Sequence, residues 1–277
     1  GITSKEGGTN FTNSLLVGAD TTGTLSSADN NTGVGVGVLG ALTSGYNNVA
    51  VGHIAGCLIT TGSSNVVIGN DAGCSITTGS SNIALGYTAG KGMSVGNGNI
   101  AIGLETMANT IPYGLTGYNV AMGVYAGHCI TSGAGNVMVG FNAGCLQTTG
   151  SDNIFIGVEA GRVTTTAINS IAIGKEALLD NTTGTNLAIG NSALANVTTG
   201  NQNTAIGNQA LFNQNTNISN NTAMGWRAGC AITTGTSNVV IGHEGGINLT
   251  TGSNNIILGK EATSSAVGVS NEITLGN

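Results

Sequence analysis

The residues best suited to chemistry in this chain are five cysteines, three histidines and a scatter of acids. Cys57, Cys74, Cys145 and Cys230 each follow a glycine by five residues, and Cys129 follows one by six. Thiols at one repeated position suggest either a metal ladder or disulfides between layers, and Cys57 and Cys74 fall in consecutive layers. Against both stand the lack of any Cys-x-x-Cys pair and of a histidine at ligand spacing. The same position elsewhere holds Ala108, Leu179, Phe212 and Ile247, so packing of a small apolar side chain is the expectation. An odd number of cysteines also cannot pair completely within one chain.

His53 and His243 directly follow a glycine, at a position also held by Tyr87, Phe141, Lys175, Trp226 and Lys260. Such variety predicts an exposed column, in which chelation would require copies meeting on a trimer axis. His128 stands apart, beside Cys129. Asp71, Glu105, Glu159, Glu176, Glu244 and Glu261 lie two residues after a glycine. They are expected to form an exposed stripe that keeps the molecule soluble and blocks edge pairing. Glycoside cleavage would need two carboxylates across a groove, and none is expected. No serine, histidine and aspartate recur together at one level. The inventory therefore predicts no enzyme, no cofactor and no metal. The repeated Thr-Thr-Gly runs raise ice binding as a minor alternative. Their threonines are adjacent, however, so one of each pair points away. The Asn-x-Ser/Thr sequons follow from composition and imply no glycan.

Composition narrows the class further. Among 277 residues only 6% are charged, while 40% are hydrophobic, and there are 48 glycines against one proline. Disordered chains pair high charge with low hydrophobicity, which this is not. Collagen needs glycine at every third position together with abundant proline. Six bases cannot form a nucleic-acid footprint, and the net charge is −6. No apolar run approaches eighteen residues, so no membrane insertion is expected. The start, Gly1-Ile2-Thr3-Ser4, has neither initiator methionine nor signal peptide, as in a mature or internal piece of a longer chain.

What positions these residues is a repeat. A glycine after an aliphatic residue recurs from Gly18 to Gly276, with Gly52, Gly69, Gly86 and Gly103 among sixteen occurrences, and twelve of the fifteen intervals are seventeen residues. We call it the marker glycine. Four residues before it stands asparagine in thirteen repeats, including Asn48, Asn65, Asn82 and Asn99, with Ser14, Ser170 and Glu272 as exceptions. Alanine is frequent three residues after it, and a second glycine ten after. Each repeat reads as a strand, a glycine turn, a second strand such as Cys-x-Ile-Thr-Thr, and another turn. The predicted fold is all-β: a parallel β-solenoid of about sixteen 17-residue coils over residues 14–277, after an N-terminal cap or linker, 1–13. At about 4.8 Å per coil the rod would be on the order of 75 Å long. The asparagines are expected to form an amide ladder. Both faces of the strand after the marker asparagine are free of charge, so one should fill the coil and the other should pack on another subunit. One coil carries three extra residues, between Gly103 and Gly123, with Ile111-Pro112-Tyr113 and Tyr118. Tyr113, Tyr118 and Trp226 are candidate surface contacts, although a tolerated loop explains the insertion as well.

The tract Asn-x-Ala-Ile-Gly-x-x-Ala resembles the head repeats of trimeric autotransporter adhesins. Thr78-Gly79-Ser80-Ser81-Asn82-Ile83-Ala84-Leu85-Gly86 is similar to repeats of bacteriophage tail fibres. Ser270 to Asn277 resembles the segment that precedes the chaperone domain of such fibres. The resemblance covers roughly residues 14–277. It implies a left-handed β-roll, a homotrimer, and a fibre on a virion that attaches to a host surface glycan or protein. A bacterial surface adhesin or extracellular filament is the alternative it leaves open. Adhesin heads favour shorter units than seventeen residues, so the cross-section is expected to differ from theirs.

Overall fold

The computed structural model describes residues 4–18, 22–109, 117–213 and 218–276. The chain divides into two compact units, Gly1–Val139 and Gly140–Asn277. The first opens with β1 (Ser4–Glu6), antiparallel to β2 (Leu15–Val17). From β2 the strands run parallel and in register: β3 (Thr32–Val34), β4 (Val49–Val51), β5 (Val66–Ile68), β6 (Ile83–Leu85), β7 (Ile100–Ile102), β8 (Val120–Met122) and β9 (Val137–Val139). The second unit repeats the arrangement with β10 (Ile154–Ile156), β11 (Ile171–Ile173), β12 (Leu187–Ile189), β13 (Thr204–Ile206), β14 (Thr222–Met224), β15 (Val239–Ile241), β16 (Ile256–Leu258) and β17 (Ile273–Leu275). This is the predicted parallel β-solenoid of about 17 residues per coil.

Each coil has one three-residue strand, and the expected second strand is absent from the described coils. Overlapping turns replace it. In one coil Ala72 donates to Gly69, Cys74 to Asp71 and Ile76 to Gly73, each across three residues. The turns form because residues two and four after the marker are left-handed, as Asp71 (φ 58°) and Gly73 (φ 55°) are. A chain alternating in this way cannot stay pleated. Neighbouring coils still bond along the turns, for example Gly56 to Ala72 at 2.9 Å and Thr60 to Thr77 at 2.9 Å.

The marker glycine is required on two counts. From Gly35 to Gly259 its φ lies near 135°, as at Gly52 (134°) and Gly69 (139°), a region that only glycine occupies readily, while the end markers Gly18 and Gly276 have φ of 82° and 70°. A Cβ on Gly69 would also collide with the carbonyl oxygen of Gly86 in the next coil.

Inside, the asparagine ladder is present and saturated. The backbone N–H of Asn65 donates to Asn48 Oδ1 at 3.0 Å. Its Nδ2 donates both to that oxygen (3.1 Å) and to the Gly79 carbonyl at the far end of its own coil (2.9 Å). Its Oδ1 in turn accepts from Asn82 N and Nδ2 at 3.0 and 3.2 Å. Each amide thus closes one coil and joins two, with no capacity left unused. Serine can substitute: Ser170 Oγ donates to Gly184 at 2.8 Å and accepts from the Asn186 amide at 3.2 Å.

The interior is one side chain deep, and its volumes are traded within a coil. The middle strand residue is fully buried, whether alanine, valine, methionine or phenylalanine. In five coils where it is small (Gly33, Ala101, Ala172, Ala188, Ala205), the position four after the marker is Leu39, Met107, Leu178, Leu194 or Leu211, buried despite a left-handed backbone. In the coils of Ala50, Ala84, Ala121 and Ala223 that position is glycine, and Ile59, Met93, Ile130 and Ile232 are the large side chains buried there. Where it is Phe155 that position is Gly161, whose Cβ would stand 2.7 Å from the ring. Filling the core offsets a backbone cost of about 1–2 kcal/mol per residue.

Removing one rung should therefore cost more than its volume implies. Asn82→Ala leaves Gly96 and Asn99 without partners and is expected to lower the unfolding free energy by about 1–3 kcal/mol. Asn82→Ser, which keeps the oxygen as Ser170 does, should lose clearly less. Urea titrations of the two variants check this, and equal losses would refute the ladder's role.

Candidate contact surface

Solenoid columns place every side chain by its distance from the marker glycine, so the predicted site residues can be located in turn. The five cysteines are thiols on the coil wall, Cys74 and Cys230 buried and the others half-buried. Their column also carries Lys91, His128 and Arg162, so it is a mixed wall position and not a purely apolar slot. Cys57 Sγ lies 3.5 Å from the Cys74 carbonyl, and both cysteines are free thiols. Burial pushes the thiols of Cys57, Cys74, Cys129 and Cys230 up from their ordinary value.

His53 and His243 are exposed, as expected, and His243 stacks on Trp226 with centroids 4.8 Å apart. His243, Glu244 and Glu261 bring ligand atoms within 4.8 Å of one another. Both carboxylates are already compensated there: Arg227 pairs with Glu244 at 2.7 Å and Lys260 with Glu261 at 3.2 Å. The acidic column is half-buried at Asp71, Glu105, Glu159, Glu176 and Glu244, where an exposed stripe was expected. Its left-handed backbone folds these side chains along the wall, where Glu105, Glu176 and Glu244 come within 4.0 Å of His128, Lys175 and Arg227. Lys175, 3.1 Å away, holds the Glu176 carboxyl below the usual range.

Thr60 donates its hydroxyl to the Thr77 carbonyl at 3.1 Å, and Thr77 to Ser94 likewise, while Thr61 and Thr78 are exposed. In the coils with a Thr-Thr pair of this kind, only one of the two threonines faces out. Tyr113 lies outside the described residues. Tyr118 is 75% exposed, and Trp226 is 40% exposed beneath Arg227, whose guanidinium carbon is 5.1 Å from the ring centroid.

The largest contact feature is aliphatic. With the asparagine and the middle strand residue turned inward, the residues one and three before each marker face out. Ile68 is 41% exposed, and Val49, Val51 and Met122 are similarly open. In the second unit Ile156, Ile189, Ile241 and Ile256 continue the pattern. No charge occurs in either column. Where the interval shortens to sixteen residues, a shallow groove of about 320 Å³ opens beside Ile171, Leu187 and Thr204. Among the described residues no helix is long and apolar enough to cross a membrane. Comparison with known protein families, curated proteins and solved structures finds no match.

The raised thiols set a pH dependence. Above about pH 8.5 the unfolded chain releases thiol protons that the folded chain retains, so stability is full below that pH and falls as pH rises. The urea midpoint should drop between pH 8 and 10, and the drop should shrink in a Cys74→Ala, Cys230→Ala variant. A midpoint independent of pH over that range would contradict the burial.

Proposed function

We propose that this chain is a structural shaft segment of a virion fibre, a tail fibre or spike, that works as a homotrimer and holds attachment surfaces away from the particle. The observation that carries the reading is the pair of outward, charge-free columns, aliphatic or methionine in every repeat at the position before the marker and aliphatic at the position three before it except for Thr32, Thr204 and Thr222. Two such side chains per coil over eight strands expose well beyond the few hundred Å² that a monomer tolerates. A coil only one side chain deep has little core of its own, so self-association supplies burial that the fold lacks. Parallel in-register stacking keeps both columns straight within each unit, which suits an interface repeated coil by coil.

The role is mechanical and not catalytic. Nearly identical coils repeat the same side-chain environment, and saturated hydrogen bonding resists local opening and proteolysis. The similarity of the stretch from Thr78 to Gly86 to repeats of bacteriophage tail fibres supports a virion location and a host-surface glycan or protein as the eventual contact.

Light scattering on the purified chain should give three times the chain mass. Val51→Glu with Ile68→Glu should reduce it to a single chain mass while the β-sheet circular dichroism persists. Antibodies raised against the chain should label the fibres of virus particles in electron micrographs. A monomeric parent chain would overturn the self-association, and labelling confined to a bacterial envelope would overturn the virion assignment.

A further inference from the structure

In the first unit Lys91, Ala108 and His128 occupy one column on three successive coils, each five residues after its marker glycine. Alanine between two long side chains leaves a notch. Tyr87 and Thr88 from one coil and Glu105 from the next complete it, enclosing about 290 Å³. This is near the lower end of small-molecule sites, about 300 Å³, and fits a single ring.

The walls are chemically specific. Tyr87 is exposed and offers an aromatic face. Lys91 has no carboxylate partner among the described residues, in a chain with twice as many acids as bases. His128 Nδ1 lies 3.0 Å from the Glu105 carbonyl oxygen, so Nδ1–H donates there and Nε2 is left as an acceptor. Tyr125 meets that ring edge-on at 5.5 Å and holds it in place. The Glu105 carboxylate is 4.0 Å from the same imidazole. Thr88 is nine-tenths buried in the wall, and its hydroxyl has no protein partner.

We infer that this notch binds a carboxylated monosaccharide, the terminal sugar acid of a surface glycan. The apolar face of a pyranose ring would lie on Tyr87, its carboxylate on Lys91, and its hydroxyls on Glu105 and His128 Nε2. An apolar ligand would strip water from Lys91 and Glu105 without pairing them, which is costly. A neutral sugar would leave the ammonium uncompensated. A phosphate would bring a second negative charge toward Glu105. Single-site affinity at an open notch is weak, and copies on a fibre add to it through multivalency. The inference deepens the attachment reading and rests on it for the biological role, though not for the binding itself.

Saturation-transfer NMR on the full chain tests it, with methyl β-glucuronide as probe and methyl β-glucoside as neutral control. Transfer to the glucuronide is expected, with the glucoside weaker. Lys91→Gln should weaken glucuronide binding about tenfold, the loss of one charge-assisted contact. Ala108→Leu should abolish it by filling the notch. Leu179 holds this position in another coil, so that variant suits the fold. No transfer, or transfer unchanged by either substitution, would overturn the site, and equal binding of the glucoside would overturn the acidic assignment. Neither result bears on particle labelling, so failure of the notch is separable from failure of the fibre reading.

Discussion

A buried primary amide has two donors and an oxygen that can accept twice, and leaving any of them unpaired costs free energy. The asparagine column meets all four demands through one geometry, and the rest of the coil follows from it. Nδ2 must reach a carbonyl fourteen residues ahead in its own coil, as Asn48 reaches Gly62 at 3.0 Å. Oδ1 must meet an amide in the next coil, as it does where Asn65 N lies 3.0 Å away. The first bond closes the ring and the second sets the stacking register. Coil length is therefore held near seventeen residues by hydrogen bonding. In the coil shortened to sixteen, Ser170 still bridges its coil, to Gly184 at 2.8 Å.

This closure dictates what the turns must be. Fitting one strand and several reversals into so few residues forces left-handed backbone two residues after the marker and five before it, on residues such as Thr88 and Ser64. Such conformations cost free energy in isolation. They persist because ladders on every side hold them, including the Ser63 amide on Ser80 Oγ at 3.0 Å. The stack also turns asparagine and the middle strand residue inward, which leaves the two flanking aliphatic columns outside. The exposed apolar face is thus a consequence of the ladder. Its size is what calls for a partner.

Much of this was legible in the sequence, because a period repeated sixteen times averages away local ambiguity. The marker glycines, the asparagine rungs and the parallel solenoid could all be read from spacing. Which strand face turned inward could not, since both faces of Val49-Ala50-Val51 are apolar. The threonine runs looked like a second strand because β-branched residues favour one. The overlapping turns that replace it start from left-handed residues upstream, such as Ile54, which carry no compositional signal. The Lys91–Ala108–His128 notch is hidden in the sequence for a different reason: only the column alignment brings residues 37 positions apart onto the two coils that flank Ala108. Its signal lies in the position five after the marker, where lysine, alanine and histidine follow one another on successive coils.

Hydrogen exchange read by NMR tests the central claim most directly. If the ladder holds the fold together, the backbone amides of Asn65, Asn82 and Asn99 and their side-chain Nδ2 protons will exchange only through global unfolding. They will be as slow as the strand amides of Val66 and Ile83. Exchange of those side-chain protons at the rate of exposed asparagines such as Asn47 would contradict the account.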